Sequence, residues 1–113
     1  MKEELHAFSH ITGGGLAENT ARVIPDGLTA TFDRSTWSLP PAMAYLAEAG
    51  AVPQNDLERT WNAGIGMVAI VDKQAGDLAL KSLAARGMQA WVAGVIQKES
   101  GVKASLEGAY RPR

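Results

Sequence analysis

The chain has 113 residues, 46% hydrophobic and 20% charged, with a formal net charge of −1 and no cysteine. That length suits one domain burying about two-thirds of its unfolded surface, and the composition excludes a disordered segment, a disulfide scaffold and thiolate chemistry. With no block of like charge beyond the short Arg111-Pro112-Arg113 tail, nothing supplies an electrostatic footprint for nucleic acid or a membrane surface.

The start, Met1-Lys2-Glu3-Glu4, is acidic where a secretory leader is basic and then apolar, so the reading is cytoplasmic. The longest apolar run, Ala63 to Val71, is less than half a bilayer span and holds two glycines, and it reads as a buried strand. Leu5 to Thr12 reads as a strand halted by Gly13, Gly14 and Gly15. From Gly15 to Val23 the pattern is helical, with Leu16, Thr20 and Val23 on one side and Pro25 ending the helix by Ile24. Gly15, Glu18, Asn19 and Arg22 are three and four apart and share a helix face. Three glycines between a strand and a helix leave backbone N–H groups free, the arrangement that binds anions. The plainer reading is a turn that merely turns.

Leu28 to Asp33 alternates strictly, with Leu28, Ala30 and Phe32 to one face and Thr29, Thr31 and Asp33 to the other. Ser38 suits the N-cap, and Gly50 the C′ position, of a helix over about 40–49 that turns Met43, Leu46 and Ala47 inward. Asn55 suits the cap of a short helix over 56–61, with Asp56 and Glu58 near the positive end of its dipole. Ile65 to Val71 is apolar in both alternation classes, the pattern of a central strand covered on two sides. Asp72 then caps a helix to about Arg86 with Ala75, Leu78, Ala79 and Leu83 as its stripe, an Asp77–Lys81 pair outside and Gly87 as terminator. Gln89 to Gln97 repeats the two-sided apolar pattern, and about 102–110 closes as a further strand.

The order β-α-β-α-α-β-α-β(-β) predicts an α+β, layered domain over 1–113 in which helices pack on a mixed sheet. Two strands apolar on both faces imply helix layers on each side, or a sheet face meant for a partner.

Among candidate site residues, His10 is either a polar residue near a strand end or a proton donor beside a bound phosphate. His6 has no constellation and reads as surface. Two histidines without cysteine or a His-x-x-x-His pair make no protein-only metal site. The glycines match neither the phosphate loop of nucleotide hydrolases nor a dinucleotide fingerprint, and no nucleophile elbow is present. Arg59 to Gly66 reads as a tight helix-to-strand turn with Trp61 in the core, in which Asn62 alone has no packing reason. Trp37 and Trp91 are assigned to the core.

Four stretches carry a resemblance when taken together. They are His10-Ile11-Thr12-Gly13-Gly14-Gly15-Leu16 with Glu18-Asn19 and Arg22-Val23-Ile24-Pro25; Phe32-Asp33 through Ser35-Thr36-Trp37 to Pro40; Arg59-Thr60-Trp61-Asn62 through Gly64-Ile65-Gly66-Met67; and Ala90-Trp91 with Gly94-Val95-Ile96. The chain resembles, over nearly its whole length, the C-terminal domain of the AIR synthetase family, the phosphoribosylformylglycinamidine cyclo-ligases. Trp61 stands where that family has Phe, and Asn62-Ala63 where it has Asn-Met or Asn-Cys.

The resemblance implies an ATP-dependent cyclisation of formylglycinamidine ribonucleotide to aminoimidazole ribonucleotide in purine biosynthesis. It implies His10 as the catalytic residue, and Thr12, Gly13, Gly14, Gly15, Glu18, Asn19, Arg22, Asn62 and Gly64 as substrate- and phosphate-binding residues, with no metal ligand on this chain. ATP and magnesium are implied as cofactors, held mainly by an N-terminal domain that the family carries and this chain lacks. The chain therefore reads as a truncated domain, inactive alone, whose partners are the nucleotide substrate and that absent domain. It is expected to expose an apolar patch and to self-associate. The alternative is a non-catalytic phosphate-binding or interaction module of the same fold.

Overall fold

The computed structural model describes residues 5–112; the charged start at 1–4 and Arg113 lie outside them. In chain order the elements are β1 (Leu5–His10), α1 (Gly15–Ala21), β2 (Leu28–Asp33), α2 (Pro41–Ala49), α3 (Gln54–Thr60), β3 (Met67–Val71), α4 (Gly76–Ala85), β4 (Gly94–Lys98) and β5 (Ala104–Glu107), with single 3₁₀ turns at Arg34–Thr36, Asn62–Gly64 and Lys73–Ala75. The α+β order is the expected one. The strands divide into two sheets: β1 and β3 form an antiparallel ribbon, and β4-β2-β5 forms the mixed sheet.

In the mixed sheet β2 runs antiparallel to β4, with Phe32 opposite Gly94, and parallel to β5, with Ala30 opposite Ala104. Ala30 and Phe32 are buried as the alternation requires, and Thr29 is buried too, because its hydroxyl donates to the Val102 carbonyl at 2.6 Å. The main core joins Ile11, Leu16, Phe32, Trp37, Ala63 and Ile65, and a smaller one joins Ile24, Ala30 and Ala104 under α1.

Several expectations are corrected. The Ile65–Val71 strand is not central: β3 begins at Met67, pairs with β1 alone, and leaves Met67 and Ala69 exposed. The second two-sided strand shortens to β4, an edge that leaves Val95 exposed, with Val92 exposed just before it. The cause is the thinness of the molecule, whose extents are 45 × 36 × 22 Å: sheets and helices stack about 10 Å apart, so most strand faces have no second layer to cover them.

Helix boundaries also move. Pro40, not Ser38, takes the N-cap of α2, and Leu46 is exposed. The helix ends with Ala51 (φ 52°), not Gly50 (φ −92°), in the left-handed position, closed by Val52 N–H to Ala47 and Ala51 N–H to Glu48. Pro53 takes the cap assigned to Asn55, which falls inside the first turn of α3. Asp72 caps nothing through its side chain; a 3₁₀ turn intervenes before α4, and Leu78 faces solvent. The Asp72 carboxylate instead meets His6 Nε2 at 2.5 Å, so His6 does have a partner. Gly87 terminates α4 as expected, left-handed, with Met88 N–H bonded to the Leu83 carbonyl.

Candidate functional site

The turn between β1 and α1 is shaped by glycine. Gly14 and Gly15 take φ of 103° and 94°, which L side chains avoid. A Cβ on Gly15 would strike the Glu58 carbonyl and come within 2.8 Å of the Arg59 Cα, so this glycine lets α1 lie directly on the backbone of α3. Gly13 differs: its φ is ordinary and a Cβ there would meet nothing within 4 Å. No packing contact among the described residues requires glycine at 13.

Asn19 holds the turn from below. Its side chain is buried, and Nδ2 donates to the carbonyls of Gly15 (2.7 Å), Thr12 (3.1 Å) and Gly13 (3.4 Å). Oδ1 accepts from Thr12 Oγ1 and from Arg22 Nη1, both at 3.1 Å. The carbonyls of the turn are thereby drawn inward. The Gly15 amide bonds to Thr12, while the amides of Gly13 and Gly14 find no acceptor among the described residues. Two unpaired N–H groups on a braced loop are the kind of backbone arrangement that is able to donate to hydrogen-bonding oxygens.

Of the face-sharing set on α1, Glu18 and Arg22 are exposed and Asn19 is not. Arg22 pairs with Glu18 at 3.6 Å, and the Glu18 carboxylate lies over Gly14, where a Cβ would come within 2.5 Å of Oε2. Glu18 thus guards the turn with like charge toward any anion, and Arg22 offsets it. His10 stands on the exposed face of the ribbon opposite Met67. Asn62 donates through Nδ2 to the Ile11 carbonyl at 3.3 Å, tying the 62–64 turn to the strand end, and its Oδ1 is buried without a partner. Gly64 lies against the Pro40 ring, where a Cβ would come within 2.7 Å of it. Asn62, Ala63 and Gly64 are consecutive left-handed residues (φ 57°, 54° and 88°), a strained stretch held because the Ala63 carbonyl accepts from Trp37 Nε1 at 3.0 Å.

A cavity of about 160 Å³ opens beside the turn, lined by Gly14, Gly15, Asn55, Glu58 and Arg59 among others. Asn55 and Arg59 were missed as site residues. Their spacing of four on one helix face was the signal available, but Asn55 reads as a cap from sequence and Arg59 as part of a turn. Arg59 is exposed and has no side-chain partner among the described residues, which leaves a cation beside the glycine backbone.

The α3 platform is fixed from behind. The buried Glu58 carboxylate accepts from Arg34 Nε (2.7 Å) and Nη2 (3.0 Å) and from the Tyr110 hydroxyl, while Arg34 Nη1 donates to the Gly108 carbonyl at 3.0 Å. Hydrogen bonding to Glu58 raises the Arg34 pKa. Burial, followed by the Glu58 carboxylate, pushes the Tyr110 phenol well above its ordinary value.

A family model described as AIR synthase related protein, C-terminal domain, matches residues 1–107. A Streptomyces fradiae protein provisionally named phosphoribosylformylglycinamidine cyclo-ligase is 53% identical over 112 residues, covering 95% of this chain and 62% of the relative. Phosphoribosylformylglycinamidine cyclo-ligases of Burkholderia cenocepacia (strain HI2424) and Synechococcus sp. (strain CC9605) are 44% identical over 97 residues and 42% over 106, covering 86% and 93% of this chain but 28% and 31% of their own lengths. The chain thus spans between under a third and about three-fifths of the curated relatives it matches.

Proposed function

Because the chain belongs to the family of AIR synthase related C-terminal domains, we propose that it forms the phosphate-binding wall of a cyclo-ligase that closes formylglycinamidine ribonucleotide to aminoimidazole ribonucleotide with ATP. The observation that carries this reading is the braced turn: the Gly13 and Gly14 amides lack acceptors, Asn19 holds the carbonyls inward, and Arg59 lines the adjoining cavity. About 160 Å³ suits a phosphate-sized group, roughly five waters in volume, and not a whole nucleotide.

In this reading Gly13 and Gly14 donate to a phosphate oxygen, and Arg59 supplies the compensating charge. Thr12 and Asn19 set the geometry of the loop, Asn62 fixes the Ile11 carbonyl, and Glu18 and Arg22 form the charged rim. His10, at the end of β1, is the group available to hold or move a proton at the reacting end. Phosphoryl transfer is catalysed chiefly by positioning and charge stabilisation, which is what these groups offer. Magnesium belongs to the proposed reaction, but among the described residues no three His, Asp or Glu side chains converge to hold a metal ion. These residues do not fit that role, and no step is assigned through it.

The domain is read as one unit that acts with the remainder of a longer enzyme. No helix among the described residues is long and apolar enough to cross a membrane. The test is formation of aminoimidazole ribonucleotide from formylglycinamidine ribonucleotide, ATP and magnesium, by the chain alone and mixed with the remaining portion of the Burkholderia cenocepacia enzyme. Product only in the mixture supports the proposal. Turnover by the chain alone overturns its incompleteness, and none in either arm overturns its catalytic role in favour of a phosphate-binding module.

A further inference from the structure

The cavity beside the glycine turn holds a residue that ought to oppose an anion. Glu58 is part of its lining, and the Glu58 carboxylate is only 10% exposed, so its charge is poorly screened by solvent. The Glu58 backbone carbonyl is also the group that Gly15 packs against, since a Cβ on Gly15 would come within 2.4 Å of it. Where this one residue sits therefore sets both the charge of the cavity and the floor of the turn.

Three donors meet the carboxylate, and they come from two distant segments. Arg34, in the 3₁₀ turn after β2, supplies Nε and Nη2 at 2.7 and 3.0 Å, a two-pronged grip that matches a carboxylate in shape and charge. Tyr110 supplies its hydroxyl. The same guanidinium donates to the Gly108 carbonyl at 3.0 Å and lies 5.9 Å from the centre of the Tyr110 ring. Residues 108–112 have no regular secondary structure, yet they are seated on a buried residue: Tyr110 packs edge-on against Trp37 at 5.4 Å, and the Arg111 N–H donates to the Trp37 carbonyl at 2.9 Å. Neither Arg34 nor Tyr110 lines the cavity.

We propose that Arg34 and Tyr110 are positioning residues of the glycine-turn site: acting through Glu58, they cancel its charge and seat α3 against Gly15, so that the 108–112 segment governs how well the turn holds an anion. The inference rests on the phosphate reading of that turn. With Arg34 in place the carboxylate is neutralised from behind, and Arg59 is left as the free cation of the cavity. Without Arg34 an uncompensated, nearly buried carboxylate stands beside Arg59 and offsets it.

Inorganic phosphate titrated into the 113-residue chain, with the Gly13 and Gly14 amides followed by NMR at a temperature where thermal melts show each variant folded, tests this. Arg34→Gln is expected to weaken phosphate by about tenfold, and Arg34→Lys, which keeps the charge without the two-pronged grip, by less. Adding Glu58→Gln to Arg34→Gln removes the stranded charge while leaving Tyr110 an acceptor, and is expected to return affinity to within about threefold of the parent. A merely structural part for Arg34 predicts the reverse, because the double variant loses more of the network. Tyr110→Phe keeps the ring and is expected to displace the ligand-free Gly15 amide and weaken phosphate by about twofold to threefold. Should Arg34→Gln fail to fold, Arg34→Lys and Tyr110→Phe decide. Affinities unchanged in the single variants, or a double variant no tighter than Arg34→Gln, overturn the proposal. Absence of phosphate binding by the parent overturns the phosphate reading instead, and the ligand-free Gly15 amide then decides the positioning role: displaced in Tyr110→Phe it supports that role, unmoved it overturns it.

Discussion

The Asn19 side-chain amide donates to the Gly15 carbonyl at 2.7 Å, four residues back along its own helix. An amide in this place competes with regular helix bonding, and here it also collects the Thr12 and Gly13 carbonyls, so one buried side chain sets the loop. Replacing Asn19 by Ala removes the buried bond to the Gly15 carbonyl and the part-buried bonds to Thr12, Gly13 and Arg22, and is expected to cost about 2–3 kcal/mol in urea denaturation. A loss below about half a kcal/mol would mean that the turn holds its shape without it.

Adjacent glycines are expected to respond in opposite ways. Gly15→Ala drives a methyl into the α3 backbone at positive φ and is expected to cost about 2 kcal/mol or more. Gly13→Ala meets no protein atom, and is expected to leave stability within about 0.5 kcal/mol while lowering affinity for phosphate. Paired thermal melts and phosphate titrations of the two variants separate fold from site.

The Tyr110 phenol pKa is raised by burial and by Glu58. Folding therefore favours neutral tyrosine: the contribution is complete below the ordinary value of about 10 and is lost as pH climbs toward the folded value, because the unfolded chain ionises first. Urea midpoints measured between about pH 9 and pH 11 are expected to fall with pH, and in Tyr110→Phe that fall is expected to be shallower. Equal slopes in the two proteins would remove Tyr110 from the alkaline limb.

Ala51 occupies a left-handed C′ position that glycine fills without strain. Ala51→Gly is expected to stabilise by about 0.5–1 kcal/mol, read as a higher urea midpoint at unchanged slope. The variant touches no site residue, so phosphate affinity is expected to stay constant.

Local grammar made the order of elements legible. Pro25 and Gly87 punctuate helices, and the alternation of Leu28 to Asp33 marks β2 to the residue. Which faces are covered was not legible, because Met67 and Val95 look like core residues until the thinness of the molecule is known. The brace of the candidate site was equally hidden. Arg34, Glu58 and Tyr110 are separated by 24 and 52 residues, and His6 and Asp72 by 66, distances over which no periodicity operates. Spacing shows Asn19 and Arg22 on the helix face next to the glycine turn, and the family resemblance placed Asn19 beside a ligand, whereas its hydrogen-bonding groups are engaged by the protein.

The central claim is that the Gly13–Gly14 backbone and Arg59 bind a phosphate group, and its most direct measurement is an amide-resolved NMR titration of the chain with inorganic phosphate. The account predicts saturable shifts of the Gly13 and Gly14 amides that weaken by about tenfold in Arg59→Ala. Shifts at those two amides that are absent, or identical in the Arg59→Ala variant, would contradict it.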